Sequence, residues 1–347
     1  MANLTSSQLK LYCWTGKWGD VSSTEQYTIQ KNNPDSNNTI RFEISELVQD
    51  YIDVVFNNDY TEGNIKTACW WRYDLINTYS DLTYTTISTG YGIGTKGYTY
   101  FEDGINSTNS LTKLISNENI YVPEGQQINL PVYKGPNGAT NVVFFKKDAA
   151  GIERESDFDD SALFTGTPGD NLDANRLIKY ISKTGTFTKI EVRSASKTET
   201  IYVNYLDCSK YDNYKIAFIN KFGAIQDLWF NKKRTDSLNV KRDSFDTSTI
   251  FSSATAVNYN TYDATSIVQD VTSKKSLTLN TGYLKEEYNE TIRQLMQSEN
   301  IWIVESGNTY PVIIKDSSFD YKTHLNDKLV NYTVQFEYAF NSINSVR

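Results

Sequence analysis

The hydrophobic period changes along the last third of the chain. Leu284, Tyr288, Ile292, Leu295 and Met296 recur at helical spacing and predict an amphipathic helix. After a hairpin, Val330, Tyr332, Val334, Phe336, Tyr338 and Phe340 alternate with Asn331, Thr333, Gln335 and Glu337, which predicts a strand. A period of 3.6 followed by a period of 2 means one sheet with one covering helix. Tyrosines on both elements suggest surfaces that another subunit covers again, so this part reads as an assembly module rather than a catalytic one.

The same reading organises the rest. Leu9, Leu11 and Cys13 alternate in an opening strand, and Ile44, Leu47, Val48, Tyr51, Ile52 and Val55 mark one face of a short helix. Cys69–Tyr73 and Leu82–Ile87 are strand-like, and Gly90, Gly92, Gly94 and Gly97 predict a flexible connection between sheet edges. Residues 1–118 therefore form a β-rich domain with one helix. Residues 119–208 carry strands at Ile120–Val122, Gln127–Val132, Asn141–Lys146, Phe187–Arg193 and Glu199–Tyr205, separated by turn residues, which predicts an antiparallel, Ig-like β-sandwich. Inside it, Glu153–Asn175 reads as an acidic surface excursion followed by a short helix around Arg176–Ile181. Residues 209–347 hold strands at Tyr214–Asn220, Ala224–Phe230 and Ser276–Leu279 around a less ordered polar stretch, Asp243–Asp263, before the helix and closing strands.

Composition supports a mainly β chain. At 347 residues it exceeds what one core usually organises, and its 25 Tyr, 16 Phe and 6 Trp suit pleated, half-buried sheet faces, while Asn, Ser and Asp suit the turns. A net charge of −8 argues against sequence-independent nucleic-acid binding, which needs a cationic stripe. The one short basic run, Asn231–Arg234, reads as a solvated loop. The start, Met-Ala-Asn-Leu-Thr, lacks a signal-peptide pattern, and no stretch approaches the roughly 20 apolar residues of a membrane span, so a soluble cytosolic product with no membrane insertion is expected. Cys13, Cys69 and Cys208 are odd in number and flanked by apolar residues, as small buried hydrophobes are.

Candidate chemistry is sparse. The single histidine, His324, lies in a loop-like context, and with scattered cysteines it supplies no catalytic triad and no zinc ligand set, so no catalytic residue, metal or cofactor is expected. Asp157, Asp159 and Asp160, with Asp170 and Asp173, form the one carboxylate cluster that a polysaccharide hydrolase or a calcium site could use; a solvated acidic loop is the plainer reading. Gly90-Tyr91-Gly92-Ile93-Gly94 lacks the Gly-Lys-Ser/Thr ending of a phosphate loop. Trp14, Trp18, Trp70 and Trp71 could offer indole faces to sugars, although Trp70 and Trp71 must alternate to opposite faces of one strand.

Three strings form a familiar set: Gly97–Asn106 (GYTYFEDGIN), Ile120–Gly125 (IYVPEG), and Cys208–Tyr211 leading to Ala217–Phe230 (AFINKFGAIQDLWF). Together they resemble virion structural proteins of tailed bacteriophages, in particular those of crAss-like phages. The third segment also looks like the split-barrel domains of phage tail-tube, tail-hub and distal-tail proteins. The resemblance implies a ring-forming C-terminal split barrel with one amphipathic helix, and a non-enzymatic component of the virion tail (hub, collar or baseplate). It implies contacts with its own copies and with other tail or neck proteins, around DNA that passes without specific binding. Tyr214, Trp229, Tyr332, Phe336 and Tyr338 are the candidate assembly surface. A carbohydrate-binding adhesin using the four tryptophans, or a tail-associated hydrolase using the acidic loop, are the alternatives.

Overall fold

The computed structural model describes residues 3–21, 23–32, 34–81, 84–104, 112–135, 138–159, 173–206, 210–252, 256–316, 320 and 329–343. The fold is mainly β, as the alternation of aromatic and β-branched positions with polar ones requires. Its first sheet contains β1 (Leu4–Trp14), β2 (Tyr27–Asn32), β3 (Ala68–Tyr79) and β4 (Tyr84–Thr95), in the antiparallel order β2-β1-β3-β4, with helix α1 (Ser45–Tyr51) against one face. Leu9, Leu11, Cys13 and Cys69 point toward Val48 and Ile52 of the α1 region, and both cysteines are buried and free. Beyond Tyr51 the backbone turns extended, so the helical spacing stops early. Val55 is consequently exposed, while Phe56 turns inward.

Of the four glycines expected to form a connection, Gly90, Gly92 and Gly94 lie inside β4 instead, and Gly97 follows it. Gly90 pairs with Tyr73, Gly92 with Trp71 and Gly94 with Cys69. A Cβ on Gly90 would stand 2.4 Å from the Tyr73 ring, one on Gly92 2.5 Å from the Trp71 ring, and one on Gly94 2.2 Å from a Val48 methyl. Large side chains on one strand thus occupy the room that the missing Cβ atoms leave on the next. Glycine here serves close packing across a sheet, a use that a sequence pattern does not distinguish from a loop.

The middle segment holds β5 (Asn119–Pro123), β6 (Gln127–Tyr133), β7 (Ala139–Lys147), β8 (Glu153–Asp159), β9 (Ile178–Thr184), β10 (Lys189–Ser194) and β11 (Thr198–Leu206). Five of these pair in the order β5-β11-β10-β7-β8, and β6 pairs with β9. Three expectations change. Strand β5 runs parallel to β11, so the five-stranded sheet is not wholly antiparallel. The first part of the acidic insertion is the edge strand β8, and the region expected to be a short helix is β9, preceded by a single 3-10 turn at Ala174–Arg176. A run as short as Arg176–Ile181 fits either period, and pairing with β6 decides it.

The last segment contains β12 (Tyr214–Ile219), β13 (Ile225–Phe230), β14 (Thr235–Asp246), β15 (Ile250–Ser252), β16 (Val257–Tyr259), β17 (Ser266–Asn280), β18 (Leu284–Lys285), helix α2 (Asn289–Gln297), β19 (Ile301–Glu305), β20 (Asn308–Ile314), β21 (Leu329–Val330) and β22 (Thr333–Tyr338). Seven strands form one antiparallel sheet, β13-β12-β19-β20-β22-β17-β14. Tyr288, Ile292 and Leu295 are buried with Leu277, Leu279 and Phe336, so the covering helix is present; Leu284 belongs to β18, because the helix begins one turn later than its spacing suggested. In the stretch read as less ordered, Asp243–Asp246 extend β14 and pair with Ser266–Asp270, and Ile250–Ser252 pair with Val257–Tyr259.

The first sheet buries its α1 side in a cluster of its own, but the other buried clusters join segments. One buried cluster includes Phe144, Ile190 and Ile201 from the middle segment and Phe218, Phe230 and Phe336 from the last. A second joins Phe56 and Ile65 to Tyr180, Ile219 and Ile225. At that junction the Asp227 carboxylate accepts hydrogen bonds from the Tyr60 hydroxyl and, at 2.8 Å, from Asn129 Nδ2, with the Lys215 ammonium 3.6 Å away. Residues from all three segments therefore meet around one buried carboxylate.

Candidate functional site: an uncovered sheet face and its arm

The register of the seven-stranded sheet explains a groove on its β14 side. Leu277 pairs with Phe336 and Val312 with Tyr338, and alternation puts Tyr310 and Tyr338 on the same side as the buried Phe336. Toward β14 this core-side face runs on past its internal cover, and a groove of about 650 Å³ opens there, lined by Arg234, Leu238, Lys275, Glu305, Tyr310, Tyr338 and Phe340 among others. Tyr310, Tyr338 and Phe340 form its aromatic wall, with ring centroids 5.3 to 6.1 Å apart.

Arg234 organises the polar side of the groove. Its guanidinium pairs with Glu305 and, at 2.7 Å, with Asp236, and lies 5.1 Å from the centre of the Tyr214 ring. The Tyr338 hydroxyl donates to Glu305 Oε2 at 2.7 Å. Burial opposes the Arg234 charge, but the bonds to Asp236 and the charge of Glu305 outweigh it, so this arginine holds its proton more firmly than usual. Burial, reinforced by the bond to Glu305, pushes the Tyr338 hydroxyl up to about 12. The charges are mutually neutralised, which favours an apolar partner with a polar rim over a free anion.

From the groove the hairpin of β14 and β17 continues outward as an arm. Every residue of β14 is exposed, as are the first residues of β17 through Asp270. The exposed set includes Leu238 at 56%, Phe245 at 47%, Ile267 at 43% and Val268 at 49%. β14 is the last strand of the sheet, and β17 pairs with β22 only from Ser276 onward, so within the described residues both long edges of the outer arm lack a sheet neighbour. Unpaired edges with apolar side chains are a template for a further chain.

Of the candidate assembly residues, the structure brings Tyr214 and Tyr338 to Arg234. Trp229, Tyr332 and Phe336 are buried in the chain's own core, Phe336 fully against Phe230 at 5.9 Å, and Tyr338 is itself 6% exposed, so of the five only Tyr214 is not buried. The tryptophans also divide. Trp14 and Trp70 are buried, with their indole nitrogens donating to the Lys17 and Gly16 carbonyls, and Trp71 stacks on Tyr73 on the α1 side. Trp18 is half-buried 4.9 Å from Tyr91.

Asp157 and Asp159 lie on β8, and Asp173 accepts from the Asn175 N–H at 2.8 Å as the cap of a 3-10 turn. Asp160, Asp170, His324 and Cys208 lie outside the described residues. Among the described residues no three His, Cys, Asp or Glu side chains gather as metal ligands, and no helix is long and apolar enough to cross a membrane. Arg234 corrects the sequence reading most directly: its basic run is partly interior, with Asn231 buried and the arginine held in the groove. No family model matches the chain, and neither a curated protein nor a solved structure matches it.

Proposed function

We propose that this chain is a non-enzymatic structural component of a tailed-phage virion, present in several copies in the tail (hub, collar or baseplate) around the DNA channel. The observation that carries the multi-copy part is the arm: a two-stranded ribbon with free edges and exposed Leu238, Phe245, Ile267 and Val268. A solitary protein gains nothing from such a surface and risks aggregation through it. The net charge of −8 suits a lining past which DNA moves without being held. The tail placement rests on the resemblance of the three sequence strings. Two of them pack together: the Tyr98 N–H donates to the Lys221 carbonyl at 2.8 Å, and a Cβ on Gly97 would stand 2.6 Å from that carbonyl oxygen. Mass spectrometry of purified virions, with antibody labelling by electron microscopy, tests the placement; a chain absent from the particle would end it.

One observation favours a second reading, a carbohydrate-binding adhesin. Trp18 and Tyr91 form a pair on the first sheet, and Tyr91 is 51% exposed. A glycan array with the wild-type chain and Tyr91→Ala separates the two readings, since only the adhesin loses a signal.

A further inference from the structure

We infer that the arm of one copy lies in the groove of the next, so that identical chains join head to tail. The inference rests on the multi-copy reading above and supplies its contact.

Length excludes the simplest alternative, that the arm fills its own groove. The 12 residues of β14 extend for about 40 Å at roughly 3.3 Å per residue, and the root of that strand, at Asp236–Leu238, is itself a wall of the groove. The outer part with Phe245 and Ile267 therefore stands away from the groove of its own chain. Among the described residues nothing covers the arm or the opening of the groove, and on one molecule the two cannot meet.

Their chemistry matches. Phe245 and Ile267 are directly paired across the arm, so they project together as one apolar knob. The groove offers the Tyr310, Tyr338 and Phe340 rings, with Phe340 still 41% exposed. Both surfaces have charges of each sign at their margins: Lys241 and Asp243 pair at 3.3 Å on the arm, and Arg234 and Asp236 at 2.7 Å beside the groove. An apolar centre with a polar rim is the usual anatomy of a protein interface.

Beyond its root at Leu238 the ribbon continues for Asn239–Asp246, about 26 Å, and is about 10 Å wide, so each face presents roughly 260 Å². One buried face is about a third of the roughly 800 Å² that a partner contributes to an interface of standard size, so the contact depends on its repetition around the assembly. A symmetric arm-to-arm pair would leave the groove empty, whereas arm into groove uses both surfaces of every copy. Such a head-to-tail contact repeats and closes into a ring when its rotation permits.

The test uses the full chain. Phe245→Asp/Ile267→Asp places charge on two exposed side chains, so its thermal melting should match wild type, while self-association measured by sedimentation should weaken on the order of a hundredfold. In parallel, Phe245→Cys chains mixed with Ser342→Cys chains should form an oxidised cross-link between the two species in preference to either homodimer. Wild type and the double-aspartate variant associating equally, with no preferred cross-link, would overturn the arm-in-groove contact and leave the multi-copy reading standing. A wild-type chain that stays monomeric at every concentration would overturn it too, and the copy number in the virion would then judge the broader reading separately.

Discussion

Asp227 is the residue whose loss should be felt in all three segments at once. Its side chain is 9% exposed and that of Lys215 is 10%, so neither charge is well served by water. Across 3.6 Å their attraction is about 4 to 5 kcal/mol at an effective dielectric near 20, much of it offset by desolvation. Asp227→Asn keeps a carbonyl to accept from Tyr60 but turns an amide donor toward the Asn129 amide and the Lys215 ammonium, which keeps its bond to Asn58 Oδ1 but loses its counter-charge. Breaking a buried pair in this way costs about 3 to 5 kcal/mol. That is a large share of a typical stability of about 5 to 15 kcal/mol. Adding Lys215→Met removes the orphaned charge and should recover about 2 kcal/mol or more, so the double variant should be more stable than Asp227→Asn alone. Urea titration followed by tryptophan fluorescence measures all four corners of the cycle. An Asp227→Asn chain within about 0.5 kcal/mol of wild type, or a double variant as unstable as the sum of the singles, would refute the idea that this pair ties the segments together.

Three further outcomes are expected. Leu295→Asp puts a carboxylate at a fully buried position of α2 and should cost several kcal/mol, enough to unfold the last segment; an unchanged melting curve would mean that α2 does not cover the sheet. Gly92→Val drives a side chain into the Trp71 ring, 2.5 Å from where its Cβ would lie, and should cost about 1 to 3 kcal/mol with a change in the near-ultraviolet circular dichroism of the Trp71–Tyr73 stack. Burial raises the hydroxyls of Tyr60, Tyr180 and Tyr288 above the ordinary tyrosine value of about 10. The folded chain then holds protons that the unfolded chain releases, so this stability is complete below about pH 10 and is lost as the pH rises toward the native values. Tyrosinate absorbance should therefore show these groups ionising together with unfolding, and free titration near pH 10 in a folded chain would contradict their burial.

The mainly β character and most strand positions were legible in the sequence because alternation survives wherever one sheet face is buried. Ile292 and Leu295 were identified as a buried helix face for the same reason. The groove was not legible: Phe336 and Tyr338 share one alternating, buried face, yet the first packs on Phe230 while the second reaches the groove beside Glu305. That difference depends on where other strands stop. The arm was missed because β14 and β17 have no consistently buried face along their outer part, so Asp243–Asp263 carries only the composition of a polar loop. Arg234 was missed because its partner Glu305 lies 71 residues away, and a short basic run looks the same in a loop and in a groove.

Counting copies in the intact particle tests the central claim most directly. Electron cryomicroscopy of purified virions should show this chain repeated around the tail channel, with the ribbon of each copy crossing onto its neighbour. A particle in which the chain is absent, or present as a single copy with its arm free in solvent, would contradict the account.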